Sequence, residues 1–259
     1  MTVIEYIDKT WIAYKKNFWS IIIALIIQIL ISSVPIIIGL LPWIFILPFS
    51  KGALITSLIL SNLGVLSFSI IMFIIGILVS VVLNGGFVRM LYEALRRKTR
   101  FEIMLKTAKE RFWTILGANL IVLLIFLVII TVLFAPIAIL FGFSNLSFQS
   151  SSFLYLVAVF SVLILGIIVL VFVSIFFVFV NQAIVIDNLR AVQAVKKSFE
   201  VSKKNFLSIF FLFLIFFIFN SGLYNVFSIF GSIIAWFVTT PLLLLCYTAF
   251  YVDKRKKIK

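Results

Sequence analysis

Few side chains in this sequence could carry out acid–base or nucleophilic chemistry. There is no histidine, and the single cysteine, Cys246, lies in an apolar run. A serine hydrolase normally uses histidine as its base, although Ser–Lys variants exist, and one cysteine cannot form a redox pair. All eight carboxylates lie in the charged segments, so paired carboxylates for acid–base catalysis are missing from the apolar runs. We therefore expect a protein that is not an enzyme and that has no cofactor.

A second set of side chains is polar but uncharged and lies inside the apolar runs. Its members are Gln28, Ser32, Ser33, Asn119, Asn181 and Gln182. Such residues form hydrogen bonds between membrane helices, or they line the polar cavity of a transporter. Charged side chains, which mark ion pathways and proton relays, do not occur in these runs. We favour the interhelical hydrogen bonds, and we do not expect an ion pump or a proton-coupled transporter.

A seven-residue motif occurs three times at a constant spacing. It reads KKNFWSI at 15–21, KERFWTI at 109–115 and KKNFLSI at 203–209, and we call these segments the three junctions. Their phenylalanines are 94 residues apart. In membrane proteins lysine extends toward the lipid phosphates, while phenylalanine and tryptophan favour the headgroup level. The motif therefore predicts lipid-interface contacts from Lys15, Phe18, Trp19, Lys109, Phe112, Trp113, Lys203 and Phe206. Alternatively, its charges only set the topology.

The composition indicates a membrane protein. Of the 259 residues 64% are apolar and 12% are charged, whereas soluble domains carry about 25% charged residues. A helix needs about 20 apolar residues to cross the hydrocarbon core of a bilayer. The charge-free runs predict six such spans, at about 18–40, 65–87, 112–135, 153–183, 206–222 and 230–252. We predict an all-α, polytopic fold that forms one membrane domain over residues 1–259.

Polar residues, glycine and proline mark the connections between the predicted spans. Turns are expected at 62–64, at 144–152 and near 220–225, and residues 40–60 could form a re-entrant segment. Gly85 and Gly86 favour close packing of helices. Pro241 is compatible with a span if a neighbouring helix supplies a partner for the carbonyl group that proline leaves unpaired.

A charged segment with helical periodicity precedes each junction. Its apolar residues are spaced three and four apart, as in an amphipathic helix. They are Ile4, Ile7, Trp11 and Tyr14 in the first segment, Phe101, Leu105 and Ala108 in the second, and Val192, Val195 and Phe199 in the third. Such a helix could lie at the headgroup boundary or pack on the helix bundle. The pattern predicts three repeated hairpins, at about 1–95, 96–187 and 188–259, each preceded by a cytoplasmic amphipathic interfacial helix.

The distribution of charge predicts the orientation. With six spans, residues 1–17, 88–111, 187–204 and 253–259 lie on one side and hold 21 of the 22 lysines and arginines. By the positive-inside rule this side is cytoplasmic, and both termini are cytoplasmic in a multi-pass protein of the cell membrane. Because all but one of the basic residues lie in these segments, the net charge of +14 indicates anionic membrane lipid as the partner rather than nucleic acid.

Two short segments resemble a known family. They are 186–199, which contains Ala194 and Ser198 in an Ala-x-x-x-Ser pattern, and 251–255, which reads YVDKR. Both are similar to segments of prokaryotic six-span proteins related to the glycerophosphoryl diester phosphodiesterase membrane domain and to similar domains of unknown function. In that family the last span ends in a Tyr-Tyr-Asp-Leu-Arg-like segment, from which Val252 and Lys254 depart. The resemblance implies a six-span layout and no activity, because the phosphodiesterase chemistry belongs to a separate soluble domain.

Together these patterns predict a non-enzymatic integral membrane protein. Its basic, amphipathic cytoplasmic face would engage anionic lipid, and it could organise the bilayer or anchor a protein partner that the sequence does not identify. Two alternatives remain open at this point, namely a transporter or lipid carrier, and a membrane subunit of a larger complex.

Overall fold

The computed structural model describes residues 3–46, 62–143 and 152–255, and this part of the chain contains helices and no strand. The α-helices are α1 Val3–Ile46, α2 Leu63–Ala94, α3 Glu102–Glu110, α4 Phe112–Phe143, α5 Ser152–Phe177, α6 Val180–Asp187, α7 Ala191–Lys204, α8 Phe206–Ile234 and α9 Thr240–Lys254. A π-helical segment, Ala235–Thr239, joins α8 to α9. The predicted all-α fold class is confirmed.

Within the described residues, six helical stretches are long and apolar enough to cross a membrane. They are Val3–Ile44, Leu63–Ala94, Phe112–Ala135, Phe160–Asp187, Phe206–Asn225 and Trp236–Lys254, and we number them spans 1 to 6. Each contains or largely overlaps one of the predicted spans. The protein is therefore a multi-pass membrane protein.

The chain is helical in two regions where the sequence predicted an interruption between spans. Helix α1 continues through Pro35 and Pro42 to Ile46, while the remainder of the predicted re-entrant segment and most of the turn at 144–152 lie outside the described residues. The chain is also helical at 220–225, where a turn was predicted. In a straight helix Asn220 and Thr239 would be about 28 Å apart. Their side chains are hydrogen-bonded, so the chain reverses between these two residues.

The buried residues concentrate where spans 2, 4 and 6 approach the charged segments. Met90 of α2, Ile184 of α6 and Tyr251 of α9 are fully buried. The ring of Phe179, just before α6, lies 5.9 Å from the ring of Phe250 and parallel to it. Farther along the spans, leucine, isoleucine and phenylalanine side chains are widely exposed, as expected where lipid is the solvent.

The N-terminal part of α1 packs against α9, so the two ends of the described chain meet. Tyr6 donates a hydrogen bond to Asp253 and lies 5.3 Å from the ring of Phe250. One helical turn farther along, the hydroxyl of Thr10 lies 3.0 Å from the sulfur of Cys246. In the same manner α3 packs on α2, and α7 packs on α5 and α6.

Gly85 and Gly86 allow this close approach, as the sequence predicted. A Cβ atom at Gly86 would overlap the carbonyl oxygen of Met104 in α3, and a Cβ atom at Gly85 would lie 2.6 Å from Cδ1 of Ile115. Gly86 therefore faces backbone, which cannot rotate away as a side chain could. The contact joins span 2 to the short helix that precedes the second junction.

Pro241 leaves a carbonyl group that a neighbouring helix satisfies. Proline has no N–H, so the carbonyl of Phe237, four residues earlier, lacks its usual helical partner. The hydroxyl of Tyr14 donates to this oxygen at 3.0 Å, and Tyr14 is itself fully buried. The sequence predicted that a neighbouring helix supplies a partner for this carbonyl, and the structure identifies the partner as Tyr14.

Gly86→Ala should destabilise the protein by about 1–3 kcal/mol or more, because the added methyl group meets backbone. Gly64→Ala is the matched control, since a Cβ atom there has no neighbour within 4 Å. Thermal unfolding of the purified variants in detergent measures both. Equal unfolding temperatures for the two variants would contradict the close approach of α3 to Gly86.

Tyr14→Phe should cost about 0.5–1.5 kcal/mol, because it removes the hydrogen bond to the half-buried carbonyl of Phe237. The same substitution should cost less in a Pro241→Ala background, where the backbone N–H restored at position 241 can donate to that carbonyl. A double-mutant cycle on unfolding free energies measures this coupling. A coupling energy of zero would show that the two residues act independently.

Candidate lipid-interface junctions

Each junction contains a break in the helix at the residue before its phenylalanine. The three break residues are Asn17 (φ −117°, ψ 16°), Arg111 (φ −110°, ψ 13°) and Asn205 (φ −129°, ψ 24°). These angles fall near the sparsely populated bridge region rather than in the α-helical region. The chain therefore leaves one helix and starts the next with nearly the same backbone geometry at all three places.

Side chains of the break residues bind neighbouring polar groups. The amide nitrogen of Asn17 donates to the carbonyl groups of Ala13 at 3.0 Å and Ala94 at 3.2 Å, and its oxygen accepts from the N–H of Thr99 at 2.9 Å. Asn17 thereby ties α1 to the end of α2. Asn205 makes the corresponding bond within its own helix, to the carbonyl of Val201 at 2.9 Å.

The predicted interface residues have the same exposure at each junction. The lysines at the first position, Lys15, Lys109 and Lys203, are exposed, and the phenylalanines, Phe18, Phe112 and Phe206, are half-buried. The next side chains are among the most exposed, with Trp19 at 73%, Trp113 at 80% and Leu207 at 68%. The isoleucines that end the motif, Ile21, Ile115 and Ile209, are fully buried. One side of each junction is thus anchored in the protein, and the other is free to contact lipid.

The aromatic residues of the first two junctions are arranged alike. The ring of Phe18 lies 5.4 Å from that of Trp19, and the ring of Phe112 lies 5.1 Å from that of Trp113, both edge to face. At the third junction Phe206 instead stacks on a ring of span 4, that of Phe172, at 5.6 Å. The three junctions belong to different helix pairs.

The helices before the junctions bury only part of the apolar stripe that the sequence predicted, since Tyr14, Ala108 and Val195 are buried and other members are exposed. Val192 and Phe199 of α7 are exposed, whereas Ala194, Ser198 and Ser202 are buried. Small side chains form much of the packed face of α7, and they allow the helices to approach closely. In the first segment Ile4 and Trp11 are exposed, whereas Thr10 and the larger side chain of Tyr6 are buried. A set of apolar side chains beside the junctions is therefore left outside the bundle.

The polar residues inside the spans include a pair that the structure brings together. Asn119 of span 3 donates to the side-chain oxygen of Asn181 in span 4 at 3.1 Å and to the carbonyl of Ile115 at 2.8 Å. Ser32 donates to the carbonyl of Gln28 within its own helix at 2.7 Å. These contacts are of the interhelical and intrahelical kinds that membrane helices use.

Ser198, the serine of the Ala-x-x-x-Ser pattern, bridges the interruption of span 4 between α5 and α6. Its hydroxyl donates to the carbonyl of Phe176 at 2.9 Å and accepts from the N–H of Phe179 at 3.1 Å. These two backbone groups lie on either side of the residues that separate α5 from α6. Ser198 is fully buried, so it supplies the partners that water would otherwise provide.

Three carboxylates, to which the sequence patterns assign no role, lie at the ends of spans 2, 4 and 6. Asp187 accepts from the hydroxyl of Tyr251 at 2.6 Å and forms an ion pair with Arg255, which joins the ends of spans 4 and 6. The corresponding residues of spans 2 and 6 are Glu93, bound to Arg89 and Arg97, and Asp253, bound to Tyr6. The sequence contains a signal for the equivalence of Glu93 and Asp187, because they are 94 residues apart, as the phenylalanines of the junctions are.

Comparison with known proteins identifies a family. The model of a domain of unknown function, DUF7847, matches residues 69–252, which is more than half of the chain, and the protein belongs to this family. The matched region includes the second and third junctions and Asp187, and it begins after the first junction. No curated protein and no solved structure matches the chain.

Ser198→Ala should destabilise the protein by about 1–3 kcal/mol, because the N–H of Phe179 and the carbonyl of Phe176 both lose a buried partner. Ser161→Ala is the control, since that hydroxyl is exposed and bonds only within its own helix, to Val157. Unfolding in detergent with increasing denaturant compares the two. If Ser198→Ala changed stability no more than the control, the bridging role would be refuted.

Proposed function

We propose that this member of the DUF7847 family is a non-enzymatic membrane protein whose basic cytoplasmic face engages anionic lipid. Through this contact it would organise the bilayer or anchor a partner protein. The observation that carries the proposal is the threefold junction, in which an exposed lysine and an exposed tryptophan or leucine flank a half-buried phenylalanine. A cation next to an apolar side chain matches a lipid headgroup next to its acyl chains.

The three hairpins are proposed to be copies of one unit. Counted from the phenylalanine of each junction, and among the residues whose burial the structure describes, the positions −8, −4, +3 and +6 are buried in all three copies. They are Thr10, Met104 and Ser198; Tyr14, Ala108 and Ser202; Ile21, Ile115 and Ile209; and Ala24, Ala118 and Leu212. The agreement of burial with a spacing found in the sequence supports a repeat, since chemically different residues occupy the same packing position.

The segments before the junctions are proposed to be interfacial helices. Ile4 is 69% exposed and Val192 is 54% exposed, and both lie on helices that also carry exposed lysines. A helix with exposed apolar and basic side chains suits the boundary between headgroups and acyl chains. The opposite face of each helix packs on the bundle, so the helix would bind the membrane and the protein together.

The cytoplasmic location of these segments and of both termini rests on the charge distribution. Of the 22 lysines and arginines, 21 lie on one side of the six spans, as the positive-inside rule requires of the cytoplasmic side. The resemblance to the glycerophosphoryl diester phosphodiesterase membrane domain supports the same layout and adds no activity. The hydrogen bond that Asn119 donates to the side-chain oxygen of Asn181 supports this proposal over a transporter, because it is an interhelical contact of the kind that membrane helices use.

The protein should retain anionic lipid in preference to neutral lipid. We expect native mass spectrometry of detergent-purified protein, offered equal amounts of phosphatidylglycerol and phosphatidylcholine, to show more bound phosphatidylglycerol. Replacing Lys15, Lys109 and Lys203 by glutamine should weaken this binding about fivefold per junction, because one basic residue near anionic lipid is worth about 1 kcal/mol.

The matched control replaces three exposed lysines outside the junctions, Lys9, Lys98 and Lys196, by glutamine. This variant has the same net charge and also removes basic residues of the proposed lipid-facing surface, so it should lose some bound phosphatidylglycerol but less than the junction variant. Equal retention of the two lipids by the unaltered protein would refute the proposal. An equal loss in both triple variants would refute the special role of the junctions.

A further inference from the structure

A basic recess opens between α2, α3 and the end of α6. It has a volume of about 300 Å³, which is at the lower end of the range of small-molecule sites. Four cationic side chains line it, and with them lie two carboxylates, a threonine and an asparagine: Arg89, Arg97, Lys106, Arg111, Glu93, Glu110, Thr107 and Asn188. None of these residues is among the predicted lipid-interface residues of the junctions.

Two of the arginines are fixed by contacts that leave part of each guanidinium group unused. Arg89 donates from Nη1 to the carbonyl of Val185 at 2.8 Å, and its Nη2 lies 3.4 Å from Glu93. Arg111 donates from Nη2 to the side-chain oxygen of Asn188 at 2.6 Å. A guanidinium group has five N–H donors, so each arginine keeps donors for a ligand. The contacts hold these side chains in place before any ligand binds.

The charges of the recess are not balanced. Glu93 pairs with Arg89 and with Arg97, at 3.4 and 2.9 Å, and Glu110 pairs with Lys106 at 3.9 Å. The four cations exceed the two carboxylates by two charges. A phosphomonoester carries between −1.5 and −2 at neutral pH, about the charge that the recess lacks.

From this arrangement we propose that the recess binds a phosphomonoester group. Its arginines present planar donor pairs, which match the oxygens of a phosphate group, and Lys106 adds a point charge. The hydroxyl of Thr107 and the amide of Asn188 provide uncharged donors beside them. The break in the chain at Arg111 turns this residue toward α6, where it meets Asn188.

The phosphate could belong to a lipid headgroup or to a small soluble compound, since the chemistry of recognition is the same. This inference does not depend on the junction lysines, because it concerns one saturable site rather than a surface. The recess and the junctions also differ in the headgroup chemistry that they should prefer. The junctions require only a negative headgroup, whereas the recess should prefer a phosphomonoester to a phosphodiester.

The test is thermal unfolding of the full-length protein in detergent at pH 7.5, followed by tryptophan fluorescence. The probes are inorganic phosphate, glycerol 1-phosphate, dioctanoyl phosphatidic acid and, as a phosphodiester, dioctanoyl phosphatidylglycerol. A phosphomonoester should raise Tm in a saturable manner and bind at least about tenfold more tightly than phosphatidylglycerol. Binding should weaken at pH 5, because the second phosphate pKa is about 6.

Arg111→Gln and Arg97→Gln should each weaken phosphomonoester binding at least about tenfold, since each removes a charged hydrogen-bond donor. Arg100→Gln is the control, with the same change of charge at an exposed residue outside the recess, and should leave binding within twofold. Because the Arg97 side chain is 70% exposed, its variant should fold even if Arg111→Gln does not.

The result distinguishes the two sources of phosphate. Tight binding of phosphatidic acid alone assigns the recess to a lipid headgroup, and equal binding of glycerol 1-phosphate assigns it to a soluble phosphomonoester. The inference is overturned if no phosphomonoester raises Tm, if phosphatidylglycerol binds as tightly as phosphatidic acid, or if Arg100→Gln weakens binding as much as Arg111→Gln. The preference for phosphatidylglycerol over phosphatidylcholine, which tests the junctions, is unaffected by any of these results.

Discussion

The fold depends on satisfying the backbone groups that helix breaks set free. Inside a membrane there is little water to bind an unpaired N–H or carbonyl, so protein groups must do so. Asn17 accepts from Thr99 and donates to two carbonyl groups at the first junction. Ser198 serves both sides of the interruption in span 4, and Tyr14 serves the carbonyl that Pro241 leaves free. Each of these side chains lies on the segment before a junction or at its break, and each reaches a different helix.

This requirement explains the polar side chains among the packed residues of the segments before the junctions, such as Thr10 and Ser198. A hydroxyl or amide can reach a neighbouring backbone only if the two helices are close, and Gly86 brings the backbone of α3 against α2. The larger apolar residues of the same segments, such as Ile4 and Val192, are then left outside the bundle. Close packing within the protein and an apolar surface outside it are therefore two results of one arrangement.

The spans and the junctions could be predicted from the sequence, because both are local patterns. A charge-free run reveals its length, and the 94-residue spacing reveals the three motifs. Helical periodicity left open whether each amphipathic segment lies at the headgroup boundary or packs on the bundle. In the structure Tyr14, Ala108 and Val195 of the apolar stripe are buried, whereas Ile4, Trp11 and Val192 are exposed. The pairing of Asp187 with Tyr251 and Arg255, and of Asn119 with Asn181, joins residues more than 60 positions apart and has no local signal.

Arginine and lysine have different surroundings at the charged end of the molecule. Several arginines bind protein groups there, among them Arg89 on Val185, Arg111 on Asn188 and Arg255 on Asp187. A planar guanidinium group with five donors can hold a fixed geometry against a carbonyl or carboxylate. The first position of every junction is a lysine, whose ammonium group is strongly hydrated and mobile, and each of these lysines is exposed. A flexible cation suits a fluid lipid surface, whereas a rigid one suits a defined site. The same distinction applies to the two proposed sites. The junctions require only a negatively charged lipid, whereas the arginines of the recess are held by protein contacts in a geometry that we propose is suited to a phosphomonoester.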